Sequence, residues 1–416
     1  MYSCMQHKNH IIVVGAGFGG ITTALMLAKK IHRVPDYDII LIDRNEYQLY
    51  TPALYEIAAV PHREADVIAL KSIAAIPIAR IVARRPVRFI QNHLSAIDRE
   101  RREIIFHDGS RLPWRFLVLA LGSETSYFNI PGLAQHGHPL KKFEDAIRIR
   151  NAIESRLAST TPARIVVGGA GPSGVELIAE LANFICMVQK DLPGRARICQ
   201  HQLTLIEAGP HILNGFAPST VTRAMRRLTT LGIEIRTNTA IAKVDPEKIC
   251  TKNRMCIAYD LLIWTGGVTG LPICQPLALP LTPKGNCMVD EYLRVENNIF
   301  VVGDAAGFYD AHTKQLVPWN VPAAESEGRL VAKNIFRAIS GRALRPFHPA
   351  RSYPFVLAIG EKYAIADLVF FRFWGFLGWI AKLLVELRYL FFILPYKDAL
   401  RVWHRKVILY MSNDRR

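Results

Sequence analysis

Apolar residues in this chain gather into short uninterrupted runs that end on glycine or on a carboxylate, and the first run sets the plan of the rest. Ile11–Val14 (IIVV) is followed directly by Gly15, Gly17 and Gly20 at G-x-G-x-x-G spacing and then by a helix-like stretch. A four-residue apolar run closed in this way predicts a buried parallel strand, a tight turn and a helix. The next run, Tyr37–Ile42, closes on Asp43, with Arg44 after it. Residues 87–120 then read VRFI, LSAI and EIIF, the hairpin signal Asp108-Gly109, and FLVLA, which leads to Gly122. That pattern predicts three short antiparallel strands followed by a buried strand with a glycine at its tip.

The same order repeats with an offset of roughly 150 residues. After an amphipathic helix over 141–160, Arg164–Val167 reads as a strand. Gly169, Gly171 and Gly174 restore the glycine spacing, Glu176 sits just inside the next helix, and Glu207 closes the run LTLI. IEIR, AIAKV, KIC and MCIA predict a second meander, and LLIWTGG ends at Gly266-Gly267 as the first copy ended at Gly122. The insertion between the helix and the acid-tipped strand, Asn183–Gln202, is longer in this copy. A third block, Asn298–Ala306 (NIFVVGDAA), is a strand ending on Gly303-Asp304 with small residues that let a helix start close to a ligand.

Each glycine has a physical task. The first permits the strand-to-helix turn, the second lets the backbone approach a pyrophosphate, and the third lets helix and strand pack closely. The helix N-terminus offers unpaired N–H groups and a positive dipole end to phosphates, and a carboxylate at the tip of the second strand is placed for ribose hydroxyls. Two such units predict two dinucleotide sites, and Asp304 is a candidate for sugar or ribityl hydroxyls. In Thr51-Pro52-Ala53-Leu54 the proline fixes its own φ and holds Thr51 extended, which predicts a rigid loop beside the carboxyl edge of the sheet.

Composition adds three constraints. A chain of 416 residues, 50% hydrophobic and 21% charged, is globular and long enough for two or three domains. A net charge of +17 admits nucleic acid, an anionic membrane or anionic ligands as partners. Cys4, Cys186, Cys199, Cys250, Cys256, Cys274 and Cys287 form no C-x-x-C and have no histidine at metal-ligand spacing. They predict reduced thiols in a cytosol-facing protein with no metal site. The opening MYSCMQHKNH is too short and polar for a secretory leader.

From Tyr363 to Trp403 the composition shifts to Leu, Phe, Ile and Trp, interrupted by Asp367, Arg372, Lys382, Glu386 and Arg388. No uncharged stretch reaches the roughly 20 residues of a spanning helix. Lys382 and Glu386 at i, i+4 with Leu383, Leu384, Leu387, Leu390 and Phe391 predict a helix lying in a membrane interface. Arg372, Arg388, Lys397, Arg401, Arg405 and Lys406 suit an anionic headgroup zone. The other reading of this helix is a core or dimerisation helix, so a homodimer stays open.

Gly15–Ala24 with Asp43, Gly169–Glu176 with Glu207, and Val301–Ala306 together resemble the two-dinucleotide-binding flavoproteins. More narrowly, Thr51–Leu54, TSYFNIPGL at 125–133, GPSGVELIAEL at 171–181 and the apolar basic tail resemble type II NADH:quinone oxidoreductases over nearly the whole chain. The resemblance implies an α/β fold like that of the pyridine nucleotide-disulfide oxidoreductases, with two Rossmann-like domains. Residues 1–142 and 283–345 would form a discontinuous FAD domain, 143–282 an inserted NADH domain, and 346–416 an amphipathic helical membrane-anchoring region. By the same resemblance Gly15, Gly17 and Gly20 hold the FAD pyrophosphate, Asp43 its ribose with Arg44 alongside, and Thr51 and Pro52 flank the flavin. Ala120 and Gly122 lie at the strand tip, and Gly303 and Asp304 at the ribityl chain. Gly169, Gly171 and Gly174 hold the NADH pyrophosphate, Gly266 is at the matching tip, and Glu207 takes the ribose 2′-hydroxyl. No Arg follows Glu207 in Ala208–His211 to favour a 2′-phosphate. Glu176 matches the family's acidic residue near flavin and nicotinamide and is the candidate for tuning or proton transfer.

The implied activity is non-proton-pumping transfer of two electrons from NADH through FAD to a membrane quinone, by a peripheral protein on the cytoplasmic face. Nucleic acid is not an expected partner. One stretch departs from the family: in PWNVPAAESEG at 318–328, Pro322, Ser326 and Glu327 stand where amides are usual. This leaves Pro318, Trp319 and Ser326 as the quinone-side candidates. A sulfide:quinone oxidoreductase is the alternative enzyme, opposed by the absence of cysteine in AGPSG and in 351–363. An NADH-responsive flavoprotein acting mainly as a sensor or binding protein is the alternative from another class.

Overall fold

The computed structural model describes residues 9–159, 163–191, 199, 202–271, 273 and 279–413. The first eight residues, where no leader is expected, lie outside the described residues, as do Cys4, Cys274 and residues 192–198 of the long insertion. The chain forms two compact units. The first comprises Met1–Gln48, Ile76–Glu124 and Thr269–Tyr353, and the second Leu49–Ala75, Thr125–Val268 and Pro354–Arg416.

A six-stranded sheet organises the first unit, in the order Arg294–Glu296, Ile299–Val301, Phe116–Leu119, Asn9–Val14, Tyr37–Asp43, Val87–Gln91. All neighbours are parallel except Arg294–Glu296, an antiparallel edge. The central runs are apolar without alternation because both faces are covered: Ile11, Ile12, Ile40, Ile42, Leu117 and Leu119 are all buried. An antiparallel meander of Leu94–Asp98, Glu103–Phe106 and Arg111–Pro113 adds Ile104, Phe106 and Trp114 to the same core. The helices Phe18–Ala28 and Val321–Ile339 meet at glycine, where a Cβ on Gly328 would lie 2.6 Å from the Gly19 carbonyl oxygen.

The second unit repeats the scheme with a five-stranded parallel sheet ordered Gly137–Pro139, Leu261–Trp264, Arg164–Gly168, Gln202–Ile206, Glu234–Arg236. A second meander, Ile241–Val244, Lys248–Thr251 and Cys256–Ala258, covers one face with Ile249 and Ile257. The same unit carries the C-terminal segment. There Phe355–Ala358, Ala364–Asp367 and Arg372–Gly375 form an antiparallel sheet, followed by helices Phe376–Ile393 and Tyr396–Asn413.

Four expectations are corrected. VRFI and IEIR are not meander strands but the outer parallel strands of their sheets, paired with Tyr37–Asp43 and Gln202–Ile206. Each follows a helix, Ile78–Val82 or Pro218–Thr230, and a helical crossover returns the chain parallel. The helix expected directly behind Asp304 is a single 3-10 turn, Gly303–Ala305, and the long helix begins only at Val321. The tail is not helical from its start, because residues 364–375 form two strands of a hairpin whose tip turns at Leu368–Phe371. Finally, Cys186 and Cys199 are joined in a disulfide, where free thiols were expected. The bond ties the helix Pro172–Asp191 to Cys199, and a separation of 13 residues carries no motif.

Candidate functional site

Both glycine turns obey the same sterics. Gly15 has φ +105°, and a Cβ there would lie 2.1 Å from the Ala120 carbonyl oxygen at the end of the neighbouring strand. A Cβ on Gly20 would lie 1.8 Å from the Gly15 carbonyl oxygen, so the helix rests on the turn. In the second unit Gly169 has φ +97° with Gly266 Cα 2.3 Å from the position of a Cβ, and a Cβ on Gly174 would lie 2.0 Å from the Gly169 carbonyl oxygen. Gly266 is confined in turn, since its own Cβ would strike the Trp264 ring at 2.3 Å. Gly17 and Gly171 differ from the rest: nothing lies within 4 Å of a Cβ at either. The protein's own packing does not require glycine at these two positions, and both are open to close approach by a ligand.

The acids are held alike as well. Asp43 accepts the Ala16 N–H at 2.6 Å on one oxygen and the Asn45 N–H at 2.8 Å on the other. Glu207 accepts the N–H groups of Ala170 and Gly209, each at 2.8 Å, on its two oxygens. An ionised carboxylate has about four acceptor sites, so each retains capacity for a hydroxyl donor. Arg44 is exposed, and its carbonyl oxygen accepts from Gln91. Gly122, at φ +79°, has open space around it.

Asp304 is fixed in the first unit by Ser123, whose hydroxyl donates to its carboxylate at 2.6 Å, and by Asn286, whose amide donates to its carbonyl oxygen at 2.6 Å. Beside it the Gly303 N–H donates to the carboxyl of buried Glu327 at 2.6 Å. Burial raises Glu327 to about 8, against the pull of that hydrogen bond. Sequence reasoning noted Glu327 only as a departure from an amide. Its signal was an acid next to Gly328 on the apolar side of a helix. Pro318 is exposed, and Trp319 is half-buried with the Lys284 ammonium 5.1 Å from its ring centroid. The Ser326 hydroxyl donates to the Ala323 carbonyl oxygen in its own helix. Thr51 is not extended as expected: Thr51–Ala53 is a 3-10 turn that runs into the helix Leu54–Ile57, in the second unit.

Glu176 lies at the edge of a charged cluster that sequence reasoning did not assemble. Lys382 pairs with Glu56 and lies 4.0 Å from Glu386, and all three are buried. The Lys406 ammonium sits 3.8 Å from the centroid of the Tyr50 ring at 0% exposure. Lys382 and Glu386 are therefore not a surface pair, and Lys406 is not in a headgroup zone. Burial raises Glu56 to about 7, opposed by Lys382. Burial likewise raises Glu176 to about 8, opposed by Lys382 and by the Ala358 N–H. Desolvation pulls Lys382 down, but Glu56 and Glu386 more than offset it and hold it protonated. A cavity of about 10 Å³ lined by Glu56, Glu180, Glu361, Trp379, Lys382 and Tyr410 has room for about one water. Carboxyls that titrate near neutrality beside a fixed cation can store and release a proton inside the protein.

Residues 9–328 match the family described as pyridine nucleotide-disulphide oxidoreductase. The chain belongs to that family. Within reach of it, the demethylphylloquinone reductase NdbB of Synechocystis sp. is 31% identical over 395 residues, covering 91% of this chain and 92% of that protein. The type II NADH:quinone oxidoreductase of Staphylococcus aureus (strain NCTC 8325 / PS 47) is 26% identical over 357 residues, or 82% of this chain and 85% of that protein. Among solved structures, NDH2 from Plasmodium falciparum in complex with NADH matches with a TM-score of 0.81 at 19% identity, covering 98% of this chain and 99% of that one. The sulfide:quinone oxidoreductase from Aquifex aeolicus matches at 0.76 and 19%, covering 94% and 92%. Both structural matches show the pyridine nucleotide-disulphide oxidoreductase family's α/β fold.

Two outcomes are expected from this geometry. Gly171→Val raises KM for NADH at least about tenfold, which corresponds to about 1.4 kcal/mol of lost binding. Because the Gly171 site is open, its urea midpoint stays at the wild-type value. A lowered midpoint in urea unfolding would mean that packing, not ligand approach, explains the glycine. Glu327 concerns pH. A carboxyl raised from 4.5 to about 8 contributes stability that is full below pH 4.5 and lost as pH rises through 8. Glu327→Gln should therefore gain on wild type between pH 5 and 9, on the order of 3 kcal/mol at the alkaline end. A difference in urea midpoint that does not change with pH would contradict it.

Proposed function

We propose that this protein is an FAD-dependent NADH dehydrogenase that passes two electrons from NADH to a quinone without pumping protons, a type II NADH:quinone oxidoreductase. The observation that carries the reading is the duplicated cradle, two glycine turns each with its own acid. The names of the curated relatives, a demethylphylloquinone reductase and type II NADH:quinone oxidoreductases, supply the quinone.

In this reading Gly15, Gly17, Gly20, Asp43, Arg44, Ala120, Gly122, Gly303 and Asp304 hold FAD. Thr51 and Pro52 keep the flavin-side assignment that the resemblance gives them. Bound FAD supplies the two-electron chemistry, and the chain binds, orients and tunes. Gly169, Gly171, Gly174, Gly266 and Glu207 hold NADH, and the Glu207 carboxylate repels a 2′-phosphate. Glu176, protonated below about pH 8, holds a proton for the acceptor, and Lys382 keeps that carboxyl from rising further. Pro318, Trp319 and Ser326 remain the quinone-side candidates.

We further infer that the C-terminal segment docks on an anionic lipid surface as a peripheral contact on the cytoplasmic side. Among the described residues no helix is long and apolar enough to cross a membrane. The apolar surface is instead the hairpin tip and the start of the next helix: Phe370 is 88% exposed and Leu377 61%, beside Phe371, Trp374 and Phe376. Arg372, Arg388, Lys397, Arg401 and Arg405 are exposed on the same segment.

Steady-state NADH oxidation with and without a short-chain quinone tests the activity. Strong dependence on quinone is expected, and slow quinone-independent turnover would favour a sensor. In the same assay Glu207→Ala should bring kcat/KM for NADPH towards that for NADH by about tenfold or more, equivalent to about 1.4 kcal/mol; an unchanged ratio would remove Glu207 from the ribose. Replacing Phe370, Phe371 and Leu377 by Ser should weaken sedimentation with anionic vesicles at least about tenfold while NADH still bleaches the flavin. Undiminished vesicle binding would refute docking through this tip.

A further inference from the structure

The outer face of the second meander carries two cysteines that the proposed activity does not use. The strands Lys248–Thr251 and Cys256–Ala258 are antiparallel, with Ile249 opposite Ile257 and Cys250 opposite Cys256. Since side chains alternate along a strand, Ile249 and Ile257 enter the core with Val244 and Tyr259, and the two cysteines share the other face. Their spacing follows from the register. The Thr251 N–H donates to the Met255 carbonyl oxygen at 2.9 Å, and the Met255 N–H donates to the Thr251 hydroxyl at 3.2 Å, closing the hairpin. The next pair inward, Cys250 with Cys256, therefore occupies a non-hydrogen-bonded position. Opposed Cα atoms there approach to about 4.5 Å with side chains at their closest, inside the roughly 4.4–6.8 Å range of a disulfide. A hydrogen bond to Cys256 holds the Cys250 thiol above its ordinary range, with burial adding to the effect. Cys256 is exposed and Cys250 half-buried.

We propose that Cys250 and Cys256 form an oxidisable cross-strand dithiol, a modification site that a hydroperoxide converts to a disulfide on the outer face of the meander. The exposed Cys256, as thiolate, attacks one oxygen of hydrogen peroxide. The O–O bond breaks, Cys256 becomes the sulfenic acid, and the departing hydroxide takes up the thiol proton as water. Cys250 then attacks the sulfenic sulfur. The S–S bond forms, the S–O bond breaks, and the second hydroxide leaves as water with the Cys250 proton. In sum, two thiols and one peroxide give one disulfide and two waters; the sulfurs lose two electrons and the peroxide gains them. The core face of the hairpin is untouched by the bond, and a dithiol reductant reverses it.

The test uses the full-length, FAD-loaded protein in the absence of NADH, treated with hydrogen peroxide, alkylated, and digested without reduction. Trypsin cleaves after Lys252 and Arg254, so the bond appears as two peptides joined through Cys250 and Cys256. The expected result is that linked pair, both thiols lost to alkylation, and full recovery after dithiothreitol. Cys250→Ser should instead leave Cys256 as a sulfenic acid captured by dimedone, and Cys256→Ser should abolish the linked pair. The proposal is overturned if both thiols stay alkylatable under peroxide that fully oxidises glutathione, or if wild-type Cys256 runs on to the sulfinic acid with no linked peptide.

Discussion

The constraint on which the rest of this structure depends is backbone crowding where a strand turns into a helix. At Gly15 and again at Gly169 the turn passes so close to the end of the adjacent strand that no side-chain carbon fits, and at Gly20 and Gly174 the helix presses back on the same turn. The crowding fixes where each helix begins and presents its first turn at the end of the strand. The buried apolar middle of each flanking strand serves the same end. A turn held by contact on both sides needs a sheet that does not shift, and full burial on both faces supplies that rigidity.

The charged cluster under the C-terminal helices follows a different logic. Glu56, Lys382, Glu386 and Lys406 are all withdrawn from water, which costs several kcal/mol per ion before any attraction is counted. Apolar side chains of similar volume would often hold these helices as well or better. What a hydrocarbon interior could not supply is carboxyls at about 7 and about 8 beside a cation that stays charged. The cluster thus gives up some stability for buried groups that titrate near neutrality.

Legibility from sequence tracked how local each feature is. The glycine turns and the acid-tipped strands were readable because their sterics act within a few residues, and the repeat of the pattern marked both copies. VRFI and IEIR were misread because a short alternating run has the same appearance in a parallel edge strand as in a meander; only the preceding helix distinguishes them. The 3-10 turn after Asp304 was misread because small residues permit a helix without requiring one. The cluster around Glu176 was out of reach, since it gathers side chains from residues 50–56, 176–180 and 382–410, and the Cys186–Cys199 bond likewise left no spacing signal.

The hydrogen bonds of the two acids also act within the chain itself. Asp43 and Glu207 each gather one N–H from the glycine turn and one from the loop beyond their own strand. Each is thus a clasp between two loops. Under the proposed function, nucleotide preference and loop architecture are consequently written in one side chain. An engineer who changes either acid also opens the clasp, and the two N–H groups it held must then turn to water or to new partners.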